Sequence, residues 1–148
     1  MYTLKQISSQ DTFAVRQPVL RPGKGIETCV FDGDDLPTTV HFGIFDDEAL
    51  VGIISVFKAS SPYFNETEQF QIRGMAVLES EQKKGLGEKL VLEAEAYIAQ
   101  NKGKRIWFNA REIAVGFYKK MGYDIIGDQF NIPDVGPHYV MHKIFPVN

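Results

Sequence analysis

A pair of glycines between an apolar strand-like run and a helical run constrains the fold of this chain more than any other feature. The run Phe70–Val77 has the composition of a strand, and the segment Gln82–Gly87 (QKKGLG) follows it and opens a helix. Glycines at such a turn leave backbone N–H groups uncovered by side chains, at the positive end of the helix dipole. The turn therefore predicts an anion site suited to a phosphorylated cofactor.

The helix after the glycines is the most clearly predicted element. Leu86, Leu90, Ala94 and Ile98 recur at helical spacing and form one apolar stripe. Such a stripe is typical of a helix that buries one face in a core. We expect Gly103 to end this helix.

The other elements are predicted from alternating polarity and from turn residues. A helix that begins near Ser9 should end or kink at Pro18, because proline lacks the N–H that a helix needs. A short helix, Ile113–Met121, should stop at Gly122. Strands that come first in hairpins and later alternate with helices indicate a mixed sheet with helices on its faces. The predicted strands are Tyr2–Ile7, Thr39–Phe45, Ala49–Phe57, Phe70–Val77, Arg105–Asn109, Tyr123–Phe130 and His138–Phe145.

Length, charge and cysteine content narrow the class of protein. A chain of 148 residues fits one domain, residues 1–148, with its own core. The formal net charge of −3 argues against nucleic acid as the main partner, since phosphate backbones attract basic proteins. Cys29 is the only cysteine, so no internal disulfide forms and a reducing compartment is indicated. No run suits a signal peptide or a membrane helix, so we expect a cytoplasmic protein that does not bind membranes.

Two familiar nucleotide-binding loops do not fit the glycine turn. A P-loop requires Gly-Lys-Ser/Thr, whereas Gly87 is followed by Glu88, Lys89 and Leu90. A dinucleotide-binding loop requires a third glycine or an alanine at the position where Leu90 stands. The class of cofactor therefore depends on a second motif.

That second motif is Ala114–Tyr123 (AVGFYKKMGY). Together, and each with a predicted strand before its helix, the two motifs resemble the GNAT superfamily of acyl-CoA-dependent N-acetyltransferases. The superfamily carries Q/R-x-x-G-x-G/A after its fourth strand and A-x-x-F-Y-x-x-x-G-F/Y near its end. The resemblance is good from Phe70 to Tyr123, whereas the region before Thr39 carries little of it. The matching residues are Gln82, Gly85 and Gly87, and then Ala114, Phe117, Tyr118, Gly122 and Tyr123.

The resemblance implies an α/β (α+β) fold with a mixed, mostly antiparallel sheet of six to seven strands flanked by about four helices. It also implies direct transfer of an acetyl group from acetyl-CoA to a primary amine on a small molecule or peptide. No covalent enzyme intermediate and no metal are expected, and a homodimer is the default oligomer. A non-catalytic acyl-CoA sensor would keep the same fold, and a protein-interaction domain would use the glycines only to shape a turn.

The resemblance also carries over the residues expected to hold the coenzyme. In the family, the pyrophosphate lies on the amides of the glycine turn, and the pantetheine arm lies along a bulged fourth strand. Gly74, inside an apolar strand, fits a bulge or a close backbone approach, although it could be a plain weak point. Lys83 and Lys84 add cationic charge or are simply solvated, Asn109 could instead cap a strand end, and Phe117 is core or groove wall. The cofactor residues so implied are Met75, Ala76, Val77, Gln82, Lys83, Lys84, Gly85, Leu86, Gly87, Glu88, Asn109, Phe117 and Tyr118.

Two residues are predicted to take part in the chemistry, again with the help of the resemblance. Tyr118 is the candidate general acid that protonates or stabilises the departing thiolate, although a Phe-Tyr pair could instead be packing. A backbone N–H near Met75 could polarise the thioester carbonyl. His138 is the best candidate for the base, although most lone histidines are structural. Other possible proton acceptors are Glu27, His41, Glu68, Glu79 and a chain of water molecules.

The acceptor amine is not readable from the sequence. Its pocket is usually lined by segments that here contain Arg16, Arg21, Tyr63, Phe64 and Tyr139. His138 and His142 share strand parity, but no third ligand accompanies them, so a metal site is not expected.

Overall fold

The computed structural model describes residues 1–145 and contains seven strands and three α-helices. Short 3-10 turns accompany them at Gln10–Thr12, Ile26–Cys29, Glu79–Glu81 and Glu112–Ala114. The predicted strands are all present. The strands are β1 (Tyr2–Ile7), β2 (Val40–Asp46), β3 (Ala49–Lys58), β4 (Gln69–Val77), β5 (Arg105–Arg111), β6 (Asp124–Ile132) and β7 (Gly136–Ile144), and the helices are α1 (Phe13–Leu20), α2 (Leu86–Gln100) and α3 (Val115–Lys120).

The strands form a mixed sheet in the order β1-β2-β3-β4-β5-β7-β6. The pairs β1–β2, β2–β3, β5–β7 and β6–β7 are antiparallel. The pair β4–β5 is parallel, from Gln69 opposite Arg105 to Gln71 opposite Trp107. This confirms the predicted fold class, although the described residues contain three α-helices where about four were expected. Between α1 and β2 the chain forms a 3-10 turn and successive tight turns instead of a further α-helix.

The chain divides into two compact units, and β4 and α2 each contribute to both. The first unit comprises Met1–Phe57 and Ile72–Ile98. Its core contains the predicted stripe of α2, whose members are all buried, and a cluster of Val15, Ile53 and Ala76. Burial of the stripe explains why these residues form a helix, because most helical stability in proteins comes from packing an apolar face.

The second unit comprises Lys58–Gln71 and the chain from Ala99 onward. Its core contains the rings of Phe108, Tyr118 and Tyr123 together with Met141. Two backbone hydrogen bonds hold the segment before β5. The Lys104 amide donates to the Glu68 carbonyl oxygen (2.8 Å), and the Lys104 carbonyl oxygen accepts from the Phe145 amide (2.7 Å).

Pro18 was predicted to end or kink the first helix, and it does not end it. Helix α1 continues past Pro18 to Leu20, and the Arg21 amide donates to the carbonyl oxygens of Arg16 (3.1 Å) and Gln17 (3.2 Å). Pro18 removes only its own donor, and the amides that follow keep their acceptors.

Two element ends also differ from the prediction. Helix α2 ends at Gln100, before Gly103, which was expected to end it, and Lys102 takes a left-handed conformation (φ +60°). The β6–β7 turn is shorter than expected, because left-handed backbone at Asp134 and Gly136 reverses the chain tightly. Within residues 1–145, no helix combines the length and the apolarity that crossing a membrane requires.

Candidate active site

The glycine turn joins the end of β4 to the first residue of α2. Gly85 has a φ of +80°, which only glycine adopts without strain, and Lys83 has a φ of +66°. A Cβ added to Gly85 would meet no atom within 4 Å. Backbone conformation thus requires glycine at this position, and the space in front of it is open.

The amides of this turn have no hydrogen-bond acceptor within residues 1–145. No backbone N–H from residue 83 to residue 88 donates a hydrogen bond to any group in the described chain. The Lys89 amide, which reaches the Gly85 carbonyl oxygen at 3.4 Å, is the first that does. These unpaired donors stand at the positive end of the α2 dipole, so the turn has the chemistry of an anion site.

The side chain of Gln82 fixes the position of the turn. Its Nε2 donates to the carbonyl oxygen of Val77 at 3.0 Å, which ties the turn to the last residue of β4. The 3-10 turn between them adds a bond from the Glu81 amide to the Leu78 carbonyl oxygen (2.8 Å). The Leu78 amide in turn donates to Val51 of β3 (2.9 Å). The turn is therefore anchored to the sheet of the first unit.

The two lysines of the turn have different surroundings. Lys84 Nζ lies 3.4 Å from Glu81 Oε1, and the Glu81 carboxylate raises the pKa of Lys84. Lys83 is exposed and has no ion-pair partner within residues 1–145. Both lysines lie next to the unpaired amides in the chain.

Gly74 of β4 has left-handed backbone and lies close to an aromatic side chain. Its φ is +65°, and an added Cβ would lie 3.0 Å from Cε2 of Phe31. Met75 and Val77 are half-buried, whereas Ala76 packs in the core cluster. A ligand along this strand would therefore meet the backbone of Ala76 and not its side chain.

Tyr118 lies in an aromatic cluster of the second unit. Its ring centroid is 4.3 Å from that of Phe108, 5.0 Å from Phe117 and 6.2 Å from Tyr123. The residue is 8% exposed, and burial raises the pKa of the Tyr118 phenol to about 12. The phenol is therefore neutral at physiological pH and able to donate a hydrogen bond.

The hydroxyl of Tyr118 is left without a partner. No group in the described chain hydrogen-bonds it. The only fully enclosed side-chain N or O atom without a partner in residues 1–145 is Nε of Arg16, so the hydroxyl is open to its surroundings. Buried tyrosines usually satisfy their hydroxyl. A buried ring with an open, unpaired hydroxyl favours a role toward a ligand over packing alone.

His138 is held in one tautomer. Its Nδ1 lies 2.8 Å from the Gly136 carbonyl oxygen, which can only accept, so Nδ1 carries the hydrogen. In the neutral ring, Nε2 then has a free lone pair, and no group in residues 1–145 occupies it. The residue is buried, and its ring lies 5.9 Å from that of Phe130. This arrangement suits a base.

His41 differs from the other candidate bases in the hydrogen bonds of its ring nitrogens. Its Nδ1 lies 2.6 Å from Ser55 Oγ and its Nε2 lies 2.9 Å from the Asp34 carbonyl oxygen, so both ring nitrogens are engaged. Glu27 and Glu79 are exposed, and Glu68 is half-buried.

The predicted acceptor residues are only partly grouped by the structure. Arg16 is fully buried and paired with Asp34, and Arg21 is half-buried in the same unit. In the second unit, the Tyr63 hydroxyl occupies the space that a side chain on Gly127 would need. The Tyr139 hydroxyl accepts a hydrogen bond from Gln129 Nε2 (3.1 Å), and the Phe64 ring lies 4.4 Å from the Arg105 guanidinium.

Asn109 is exposed on β5 opposite Val140 of β7.

The sequence interpretation missed Phe31, Asp34 and Arg73, which surround Arg16. The available signal was a charged residue, Arg73, directly before the glycine of an otherwise apolar strand. Among residues 1–145, no group of three or more His, Cys, Asp or Glu side chains is placed to hold a metal ion.

Comparison with known proteins identifies the family. The family model for the acetyltransferase (GNAT) family matches residues 6–123. The chain is also 36% identical over 143 residues to the uncharacterized N-acetyltransferase YitI of Bacillus subtilis (strain 168), covering 97% of this chain and 96% of that protein. The chain therefore belongs to the GNAT family and is an acetyltransferase, as its two motifs predicted.

Solved structures share the fold. An aminoglycoside 6'-N-acetyltransferase complexed with coenzyme A has a TM-score of 0.77 at 17% identity, covering 99% of this chain and 98% of that one. The ribosomal-protein-S18-alanine N-acetyltransferase of Escherichia coli has a TM-score of 0.78 at 13% identity, covering 100% and 96%. At such identities the likeness concerns the fold alone, so neither acceptor is transferred to this chain.

Proposed function

We propose that this acetyltransferase moves an acetyl group from acetyl-CoA directly to a primary amine. The observation that carries the proposal is the row of unpaired amides from residue 83 to residue 88 at the start of α2. A diphosphate needs several donors at once, and a helix N-terminus with an open glycine beside it supplies them.

The coenzyme is proposed to bind through its diphosphate to the turn and through its pantetheine arm to β4. The turn contributes the amides of residues 83–88 and the charge of its two lysines. The arm would bond to the backbone of Met75, Ala76 and Val77 like an added strand. Asn109 and Phe117 stay predicted contacts. Cytoplasmic location and a homodimeric state also stay predictions.

Tyr118 is proposed to stabilise the departing sulfur by a hydrogen bond. Its phenol, with a pKa of about 12, is a far weaker acid than a thiol, whose ordinary pKa is about 8.5. Complete proton transfer from the phenol to the thiolate is therefore unfavourable, whereas donation of a hydrogen bond is not. Of the two expected roles of Tyr118, protonating or stabilising the thiolate, we therefore propose the second.

His138 is proposed to take the proton from the attacking ammonium. A neutral imidazole with its hydrogen on Nδ1 presents the Nε2 lone pair as the acceptor. The amine then attacks the thioester carbonyl and the new N–C bond forms. The C–S bond breaks to release the thiolate, and a second proton leaves the nitrogen to water as the amide forms. The Met75 amide is the proposed donor to the carbonyl oxygen in the transition state.

The experiment that tests the proposal measures thermal unfolding with coenzyme A in a matched pair of glycine variants. A ligand at 100 times its Kd adds about 2.7 kcal/mol to the free energy of unfolding. Gly23 (φ +76°) matches Gly85 (φ +80°), since an added Cβ meets no atom within 4 Å at either position. Each change to alanine costs about 1 kcal/mol of backbone strain.

Only Gly85→Ala should lose the stabilisation by coenzyme A. If wild type gains no stability from coenzyme A, or both variants respond equally, the phosphate site is wrong. Tyr118→Phe, assayed by thiol release across an amine panel, should keep coenzyme binding and lose turnover. A wild-type protein that binds coenzyme A but releases no thiol with any amine would be the sensor and not the enzyme.

A further inference from the structure

Three guanidinium groups gather on one aromatic ring in the first unit. The Cζ atoms of Arg16, Arg73 and Arg21 lie 3.8, 4.9 and 5.4 Å from the ring centroid of Phe31. Arg73 also lies 5.1 Å from the Phe57 ring, so it stands between two aromatic faces. We call Arg16, Arg21 and Arg73 the arginine cluster.

The structure neutralises only one member of this cluster. Arg16 forms two hydrogen bonds to the Asp34 carboxylate, at 2.6 and 3.0 Å. Arg21 and Arg73 have no ion-pair partner within residues 1–145. Arg73 makes one long bond to the Asp32 carbonyl oxygen (3.4 Å), and Arg21 bonds to the Leu20 carbonyl oxygen (3.0 Å).

The electrostatics of Arg73 reflect this excess of positive charge. Burial lowers the pKa of the Arg73 guanidinium, and the charges of Arg16 and Arg21 lower it further, against the opposing effect of Asp34 and Asp32. Like charges so close together repel, and an anion between them would remove that repulsion.

A second, independent observation comes from Arg16 itself. Its Nε is fully enclosed and has no hydrogen-bond partner. A Cβ added to Gly74 would lie 3.7 Å from this Nε and 3.0 Å from the Phe31 ring. An unsatisfied buried donor is uncommon and costly, so it calls for an explanation. Because this Nε is fully enclosed, an anion over the Phe31 ring would contact Arg21 and Arg73 and not this atom.

We infer that the acceptor amine carries a carboxylate, which binds to the guanidinium groups of Arg21 and Arg73 over the Phe31 ring. This inference rests on the proposed function, because Arg73 lies two residues before Met75, where the thioester carbonyl is proposed to bind. The planar fork of arginine matches a carboxylate in two parallel hydrogen bonds. The diphosphate of the coenzyme is proposed to bind at the glycine turn, so the arginine cluster is not needed to hold it.

The reaction of such an acceptor is balanced without a further reagent. The ammonium of the acceptor loses one proton to His138 or water before the attack, its nitrogen bonds to the acetyl carbon, and a second proton leaves that nitrogen to water as the amide forms. The C–S bond breaks and the sulfur leaves as the thiolate of coenzyme A, hydrogen-bonded to Tyr118. The carboxylate takes no part in bond making and serves to position the amine.

The test compares amino acids with their C-terminal amides as acceptors, measured by release of the coenzyme A thiol. The members of each pair differ only in the carboxylate. Loss of a hydrogen bond to a charged group corresponds to roughly 10- to 100-fold in kcat/KM, so wild type should prefer the acids by that factor. Cationic polyamines serve as a third class.

Arg21→Gln and Arg73→Gln should abolish this preference mainly by raising KM for the acids, with kcat/KM for the amides kept within about threefold. Lys5→Gln is the matched control, because its Nζ lies 4.4 Å from the Phe45 ring centroid, another cation over an aromatic ring of the same unit. Its acid preference should equal that of wild type.

The outcomes separate the inference from the proposed function. If coenzyme A binds and amides or polyamines react as well as the acids or better, the carboxylate inference is wrong and the proposed function stands. An acid preference that survives both arginine changes also overturns the inference. Absence of thiol release with every acid, amide and polyamine overturns the inference, and absence of coenzyme binding overturns the proposed function as well.

Discussion

The two units each contain an arginine–carboxylate pair of nearly the same local geometry. Arg16 approaches Asp34 at 2.6 Å in the first unit, and Arg105 approaches Glu66 at 2.6 Å in the second. Both pairs have two hydrogen bonds. Each guanidinium also stacks on a phenylalanine, 3.8 Å from Phe31 in one case and 4.4 Å from Phe64 in the other.

The pairs differ in their exposure to solvent. The side chains of Arg16 and Asp34 are 0% and 3% exposed, whereas those of Arg105 and Glu66 are 13% and 29% exposed. Both arginines have further hydrogen bonds, one from Arg105 to His142 Nδ1 (3.0 Å) and two from Arg16. Arg16 donates to the Cys29 carbonyl oxygen (2.7 Å) and to Ser55 Oγ (3.1 Å). Burial, and not the geometry of the pair, should therefore decide what each pair contributes to stability.

The largest expected loss in the free energy of unfolding follows from breaking the buried pair of Arg16 and Asp34. Arg16→Gln should lower the free energy of unfolding by about 3–5 kcal/mol, because it leaves the Asp34 carboxylate buried without its counter-charge. Urea denaturation measures this change. The double variant Arg16→Met, Asp34→Asn should recover part of the loss. A single-variant loss below about 1 kcal/mol would contradict the distinction drawn between the two pairs.

The next largest effect is a dependence of the unfolding free energy on pH, which acts through Asp34. Burial alone would raise the pKa of Asp34, but hydrogen bonds from Arg16 and the Phe31 amide outweigh it and hold that pKa below its ordinary value of 3.8. The resulting stabilisation is complete above the unfolded-state pKa and is lost as pH falls through the folded-state pKa. Asp34→Asn should therefore flatten the decline in unfolding free energy between pH 5 and 2. An unchanged acid decline would refute this.

The smallest effect is expected for the more exposed pair. Hydrogen bonding from Arg105 lowers the pKa of Glu66 against the opposing effect of burial, yet solvent and salt screen the pair. Arg105→Gln should cost less than about 1 kcal/mol, and less still at 1 M NaCl. Thermal unfolding at two salt concentrations measures this. A salt-independent loss as large as that of Arg16→Gln would remove the contrast between the units.

Sequence reasoning located the parts of the molecule whose signal is local. The α2 stripe and the glycine turn each depend on residues close together in the chain. The arginine cluster was not found, because Arg16 and Arg73 meet on the ring of Phe31, which is 15 and 42 residues away from them along the chain. Spacing carries no information on such contacts. Helix α1 continues past Pro18 for a related reason, since its stability depends on packing as well as on the helix propensity of its residues.

The anchoring of Gln82 to Val77 has a consequence for kinetics. An anion-binding loop that is disordered when empty must be ordered during association, which slows capture and weakens affinity. Here the Gln82 bond, the left-handed backbone at Lys83 and Gly85 and the first turn of α2 define the shape of the turn through contacts within the protein. An incoming anion would meet a preorganised receptor, so its capture should be governed by diffusion and charge and not by loop rearrangement.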